Sequence, residues 1–572
     1  MRRPAAGPPT DPAVRTARPR LWVVGLCFAL AFASVGLRLV DIGQRAEARL
    51  AGRGDGPAAV TTGRRDLVDR RGELLATDLE VPSVYADATR VGDPARAAAR
   101  LARVLRGVDA GKLAAEFATR KRFVWVKHHI DAAEQRAVLE LGIPGVDFRY
   151  GPQRLYPKGA LAAHAVGYVD LDNRGIAGLE KGLDETLRAT GEAGPVRLSL
   201  DLRVQHALRD ELAGGVTRYG AKGGNGIVMD VRTGEILALV SLPDFDPNRP
   251  GEEDPVRRRN RNTAAVYEVG SLFKVFSFAM ALEARTTSFD RVYDATEPLR
   301  IGRFSIRDVH PKRRPLTMPE VFMFSSNIGT SKIALEAGAE NERSFLERLG
   351  LFQRPTLEIP ELRDPLVPKR WPDTTIASVA FGHTLAVSPL HVATAFATIV
   401  NGGRKVTPTL LRRDGPPPEF PQVVSERTAR DMRWLLWATV ERGSGARAKV
   451  NGYLIGGKTG TAEKAVIGGR GYQRDAVLSS FMAAFPIDAP RYVVLIMLDE
   501  PQATAASGGE RFGGSTSAPI AAAVISRIGP LLGVPRSTEV AARSFRERLV
   551  VGETFNQRKQ RREETFAALD LR

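Results

Sequence analysis

Three short segments, Ser271-Leu272-Phe273-Lys274, Ser325-Ser326-Asn327 and Lys458-Thr459-Gly460-Thr461, lie far apart along this chain. Their chemistry requires that folding bring them together. In a helix, residues three apart share a face, so Ser271 and Lys274 stand one turn apart. A serine hydroxyl is a poor nucleophile on its own, and an adjacent uncharged amine can take its proton. Ser-x-x-Lys alone reads as an ordinary helix start; the ordered trio, with glycines beside its members, does not.

Each segment carries a specific expectation. Gly270 fits a tight entry into the helix bearing Ser271, where free amides and the positive dipole end favour a developing anion. For Lys274 to act as base its pKa must fall, which burial and a second cation both promote; Lys458 is that cation if the segments meet. Ser325 offers a hydroxyl to relay a proton, and Asn327 an amide for a substrate backbone; a simple helix cap is the alternative for both. Lys458 to Thr461 follows Gly456-Gly457, where another backbone can come close. On an edge strand, Thr459 and Thr461 share one face and Gly460 takes the other. The two hydroxyls could then bind one carboxylate beside the Lys458 charge. A phosphate-cradling loop is set aside, because the spacing of a P-loop is missing.

At 572 residues the chain exceeds one ordinary core, so two or more domains are expected. Hydrophobic content of 43% against 26% charged is globular rather than disordered. The net charge of +18 is dispersed, with no aromatic-interleaved basic stripe, so nucleic acid is not the expected partner. No Cys/His metal spacing stands out, no cofactor or metal is called for, and the one cysteine, Cys27, excludes an internal disulfide.

Leu21 to Leu37 is a 17-residue stretch without a charged side chain, reaching Val40 if Arg38 snorkels. That is near the lower limit for a membrane-spanning helix. Five arginines against Asp11 precede it, which places residues 1–20 in the cytoplasm, 21–40 in the membrane and the rest outside. A cleaved signal peptide is the rival, with Ala29-x-Ala31 and Ala31-x-Ala33 as sites.

Gly52 to Gly63 reads as a linker, Arg71-Gly72 as a turn between strands, and Asp93 to Phe117 as amphipathic helices. Arg154 to Pro157 and Gly175 to Glu180 read as ordered loops of a non-catalytic domain spanning 41–195. Val196 to Leu200 alternates as a strand, and Asp201 caps a helix from Leu202. Gly226–Val231 with Glu235–Ser241, and Ser479–Phe485 with Tyr492–Leu498, read as two hairpins. Helices at Phe273–Arg285, Met318–Gly338 and Pro389–Val400 fall between them. The expected class is α+β, an antiparallel sheet covered by helices over 196–535, with a charged tail at 536–572.

With these residues assembled, the chain resembles a class B penicillin-binding protein, a monofunctional peptidoglycan transpeptidase. Further matching segments are Arg64 to Ala76, Tyr156-Pro157, Ala163 to Tyr168, Gly175 to Glu180, Phe381-Gly382-His383, Val387 to Leu390, and Phe512-Gly513-Gly514. The resemblance implies a penicillin-binding fold, an N-terminal pedestal or dimerisation domain and one membrane anchor. It implies that Ser271 attacks the D-Ala-D-Ala end of a stem peptide, releases D-alanine, and is freed by a neighbouring peptide's amine. Lys274, Ser325 and Lys458 would assist catalysis, while Asn327, Thr459, Gly460 and Thr461 bind substrate. The Ser271 and Thr461 amides would form the oxyanion hole. β-Lactams would inhibit it, and a membrane glycan polymerase and other division proteins would be partners, at a bacterial inner membrane with the catalytic domain in the periplasm. The short linker and the 458–464 and 381–383 segments look more like the septal division type than the side-wall type. The alternatives are a β-lactamase, a D,D-carboxypeptidase or a non-enzymatic scaffold. Val269, Arg65 and Thr384 depart from the proline, glycine and glycine usual at those positions.

Overall fold

The computed structural model describes residues 32–34, 63–189, 194–465, 471–537 and 543. Residues 1–63 and 64–572 form two units, and in the first, residues 32–34 are helical. The tail 1–20, most of the expected span 21–40 and most of 536–572 lie outside the described residues. Among the described residues, no helix is long and apolar enough to cross a membrane.

The second unit opens with β1 (Leu67–Val68) and β2 (Leu74–Ala86), paired antiparallel across the turn at Gly72, whose φ is +94°. The apolar spacing after Asp93 gives α1 (Pro94–Val104) and α2 (Ala110–Ala118). Each is capped by an aspartate: Arg96 N–H donates to Asp93 at 3.1 Å and Lys112 N–H to Asp109 at 2.9 Å. Ala98, Leu101, Leu113 and Phe117 close a small core over Val84 and Ala86. Strands β3 (Val124–Lys127) and β4 (Val146–Leu155), with α3 (Ala132–Leu141) between them, pair with β2. One basic, aromatic stretch escaped the sequence reading, Arg120 to His129. Its Phe123 stacks on Tyr85 at 5.0 Å and meets Trp125 edge-on at 4.8 Å.

The expected strand 196–200 is shorter. Only β5 (Val196–Arg197) is extended, and it runs parallel to β1, joining this first sheet. The segments read as ordered loops contain strand and short helix, and they hold buried charge. Arg154 lies in β4, and its Nε donates to Glu180 Oε1 at 2.7 Å; Arg64 Nε donates to Glu180 Oε2 at 2.8 Å. Arg154 also reaches Asp78 at 3.1 Å. The side chains of Arg64, Arg154 and Glu180 are at most 1% exposed, so the cluster is out of water and its charges depend on one another.

The catalytic half starts with α4 (Leu202–Arg218), capped by Asp201 as expected. Strands β6 (Gly223–Asp230) and β7 (Ile236–Leu242) form the first predicted hairpin. Next come α5 (Lys274–Glu283), α6 (Met318–Met323), α7 (Asn327–Arg348), α8 (Pro389–Val400) and α9 (Glu426–Arg442). Strands β8 (Gly456–Ala465), β9 (Tyr472–Phe485) and β10 (Tyr492–Asp499) precede α10 (Ser517–Leu531). The sheet runs β8-β9-β10-β6-β7, antiparallel throughout, with β8 at an edge. Alternation along β10 sends Val494, Ile496 and Leu498 into the core shared with α4 and α10. Val493, Leu495 and Met497 face the larger core of α5 and α8. Helix α8 is apolar on every side and is buried accordingly.

The expected helix 318–338 is interrupted. The chain leaves α6 at Phe324, passes through Ser325 at φ +59°, and re-enters helix at Asn327. A non-glycine residue in that region is strained, a condition that clusters at functional sites.

Glu180→Leu removes the one carboxylate that two buried guanidinium groups share and should lower unfolding stability by about 3–5 kcal/mol. Glu73→Leu removes an exposed partner of Lys158 and should cost less than about 1 kcal/mol. Denaturant unfolding of the two variants checks this; equal losses would contradict it.

Candidate active site

The nucleophile candidate enters on a tight turn. Gly270–Phe273 is a single 3-10 turn that leads into α5, and Gly270 has φ +55°. A Cβ on Gly270 would lie 2.3 Å from Thr461 O, so a side chain is excluded by contact as well as by conformation. Its N–H donates to Gly382 O at 3.1 Å. The chain just before Ser271 is thus pressed between β8 and the 381–384 segment.

Gly460 is fixed by the same packing. Along β8, the register pairs Lys458 with Met482, Gly460 with Ser480, and Thr461 with Ser479. A Cβ on Gly460 would lie 2.3 Å from Ser480 Oγ and 2.7 Å from Leu272 Cγ. Absence of a side chain there lets the Ser271 turn rest directly on the edge strand. Thr459 and Thr461 take the opposite face, as the two-residue period requires. Thr459 Oγ1 is 2.9 Å from Ser444 Oγ, and Thr461 Oγ1 accepts from Gly513 N–H at 3.1 Å.

The two lysines converge on one hydroxyl. Lys274 Nζ donates to Ser325 O at 2.6 Å, to Asn327 Oδ1 at 2.7 Å and to Ser325 Oγ at 3.1 Å. Lys458 Nζ donates to the same Ser325 Oγ at 2.9 Å. Both lysines are fully buried. Burial, and then the nearby Lys458 charge, hold the Lys274 amine well below the ordinary lysine range, against a smaller opposing pull from Asp308. Burial pushes Lys458 down to about 7.

A cleft of about 860 Å³ lies over this network, lined by Ser271, Ser325, Asn327, Thr459, Thr461 and His383 among others. The three segments therefore meet, as their chemistry required. One expected contact is not made. Among the described residues, Ser271 Oγ has no hydrogen bond to either lysine. A charged lysine has three protons and no lone pair, and Lys274 already has three acceptors. Loss of one proton would free a lone pair for Ser271. Asn327, expected to bind substrate, has its amide oxygen on Lys274 and its Nδ2 on Arg307 O at 3.0 Å.

Some contributors carry no local signal. Asp308 accepts from Ser326 Oγ at 2.7 Å and Ile328 N–H at 3.0 Å, securing the strained turn at Ser325. Ser444 and Ser480 join the site only through the fold. Thr384, in place of the usual glycine, keeps a left-handed backbone at φ +68°; its hydroxyl lies 2.6 Å from Ser378 Oγ.

Fold and site fit a serine acyl-transfer enzyme with two buried amines beneath its cleft. Comparison with known proteins agrees. Residues 224–526 match the penicillin binding protein transpeptidase domain, and residues 60–203 the penicillin-binding protein dimerisation domain. The chain is 41% identical to the probable peptidoglycan D,D-transpeptidase FtsI of Caulobacter vibrioides, over 94% of this chain and 92% of that protein. It is 29% identical to the peptidoglycan D,D-transpeptidase FtsI of Escherichia coli, over 82% and 84% of the two chains. Among solved structures, penicillin-binding protein 3 from Mycobacterium tuberculosis complexed with aztreonam matches with a TM-score of 0.65 and 26% identity. That match covers 84% of this chain and 98% of the other. The chain belongs to the penicillin-binding protein family, in the class B branch, where a dimerisation-type domain precedes the transpeptidase domain.

Gly460→Ala forces the Ser271 turn away from β8 and should slow acylation by penicillin about 10²-fold, the usual cost of a misplacement near 1 Å. Stopped-flow acylation with the purified variant checks this; a rate equal to that of the unsubstituted chain would contradict the packing argument.

Proposed function

We propose that this chain is a peptidoglycan D,D-transpeptidase that cross-links stem peptides through an acyl-enzyme on Ser271. The observation that carries it is the meeting of Lys274 and Lys458, both buried, on Ser325 Oγ in the cleft that Ser271 lines. Neutral Lys274 takes the Ser271 proton as Oγ attacks the penultimate D-alanyl carbonyl. Ser325, bridged to Lys458, passes a proton to the leaving D-alanine nitrogen. The Ser271 and Thr461 backbone amides stabilise the oxyanion, a contribution typically worth about 10²–10³ in rate per donor. Thr459 and Thr461, beside the Lys458 charge, hold the terminal carboxylate. Asn327 fixes Lys274 and borders the bound peptide. A neighbouring stem peptide's amine then breaks the ester.

The FtsI relatives support a septal role in cell division over side-wall elongation. We assign residues 1–20, 21–40, 41–195, 196–535 and 536–572 to a cytoplasmic tail, a membrane anchor, a pedestal, the transpeptidase domain and a charged end. The arginine-rich start and the apolar 21–37 stretch support an inner-membrane anchor with a periplasmic catalytic domain. A membrane-embedded glycan polymerase and other division proteins are the proposed partners.

Penicillin should form a long-lived adduct on Ser271, located by peptide mass spectrometry and absent from Ser271→Ala. Rapid drug turnover would instead mark a β-lactamase. Normal septation of cells depending on Ser271→Ala would mark a scaffold. The acylation rate should rise with pH as the lysine pair loses a proton and then level off. Both folded-state values are depressed, so the rising limb belongs well below the ordinary lysine value of 10.5. A limb centred near 10.5 would remove Lys274 from the role of base.

A further inference from the structure

A second proton acceptor faces the same cleft. Glu268 lies three residues before Ser271, on the segment that carries the nucleophile. Its Oε1 accepts from Thr384 N–H at 2.9 Å and from Tyr472 O–H at 3.3 Å. Its Oε2 is 3.1 Å from His383 Nδ1. A carboxylate accepts, so the contact puts a proton on Nδ1, and in the neutral ring Nε2 then carries the lone pair. The ring packs against Phe381 at 5.2 Å and Tyr472 at 5.3 Å, nearly perpendicular to the latter. Among the described residues Nε2 has no protein partner, and His383 lines the cleft with Ser271. An oriented carboxylate, a fixed tautomer and a free second nitrogen are the arrangement by which a histidine serves as general base.

The second half of the reaction has a use for it. The lysine–Ser325 network handles one proton per step, between Ser271 Oγ and the nitrogen that leaves or arrives. An acceptor amine reaches the cleft as an ammonium ion and becomes an amide N–H, so it must lose two protons. One returns to Ser271 Oγ through the lysine network. The other needs a separate acceptor, because the one uncharged amine of that network is already engaged in returning the first.

We propose that His383, positioned by Glu268, is the base that removes the extra proton from the acceptor amine in the transfer step. His383 Nε2 takes a proton from the ammonium. The amine lone pair then attacks the acyl carbonyl, the C–N bond forms and the C–Oγ bond to Ser271 breaks. The second nitrogen-bound proton passes to Ser271 Oγ, and His383 returns its proton to solvent. His383 is thus a catalytic residue of the second step and Glu268 a positioning residue acting through it. The proposal rests on the transpeptidase reading above.

The test starts from preformed acyl-enzyme, so that only protein folded well enough to acylate is scored. The full-length chain is acylated in a single turnover with a D-alanyl thioester, and D-alanine is added as the acceptor amine. In His383→Ala, formation of the amide product should fall about 10²-fold, within the range for loss of a general base. Added imidazole should restore much of it at saturating acceptor. Glu268→Gln should fall less, with imidazole giving little further gain because the ring is still present. Amide formation in His383→Ala at the unsubstituted rate, or a slow rate that imidazole does not raise, would overturn the proposal. Failure of the unsubstituted chain to form any acyl-enzyme would instead count against the transpeptidase reading itself.

Discussion

Two buried amines sharing one hydroxyl is the constraint around which the catalytic half is arranged. Lys274 and Lys458 arrive from a helix and an edge strand, and both are withdrawn from water against Ser325 Oγ. Two ammonium ions so close cannot both keep their charge cheaply in a medium that screens poorly. The easiest relief is for one to give up its proton, and that would supply the base the proposed mechanism needs. In that mechanism the acid–base chemistry is a consequence of packing rather than an addition to it.

The packing in turn depends on backbones that approach without side chains between them. Gly270 meets Thr461 O, and Gly460 lets Leu272 and Ser480 close over β8. These contacts fix the height of Ser271 relative to the strand that carries Thr459 and Thr461. Ser325 adds a strained residue at φ +59°, held by the Asp308 bonds to the residues after it. Strain at this one turn aims the hydroxyl at both lysines, and the surrounding helices hold it there.

The sequence disclosed the parts whose signals are local or ordered. The hairpin at Arg232-Thr233-Gly234, the cap at Asp201 and the apolar helix from Pro389 to Val400 follow from period and turn chemistry, and they are present as read. The trio of segments was legible because spacing and order survive without a fold. Three features were not. The break at Phe324 to Ser326 sits inside a helical pattern, and only tertiary hydrogen bonds enforce it. The Arg64, Arg154 and Glu180 cluster ties Arg64 to two segments whose glycine and proline content reads as loop. The direct Ser271–Lys274 hydrogen bond followed from helical spacing, but Ser325 and Asn327 provide better acceptors for a charged amine.

The account stands on the charge state of Lys274, and a direct titration reaches it most closely. Nitrogen NMR of the Lys274 side chain should give a proton-loss midpoint well below 10.5. Replacing Lys458 by methionine should move that midpoint upward, since the neighbouring cation is gone while burial persists. A midpoint near 10.5 in the unsubstituted chain, or one that Lys458→Met leaves in place, would contradict the claim that burial and a shared hydroxyl make the base.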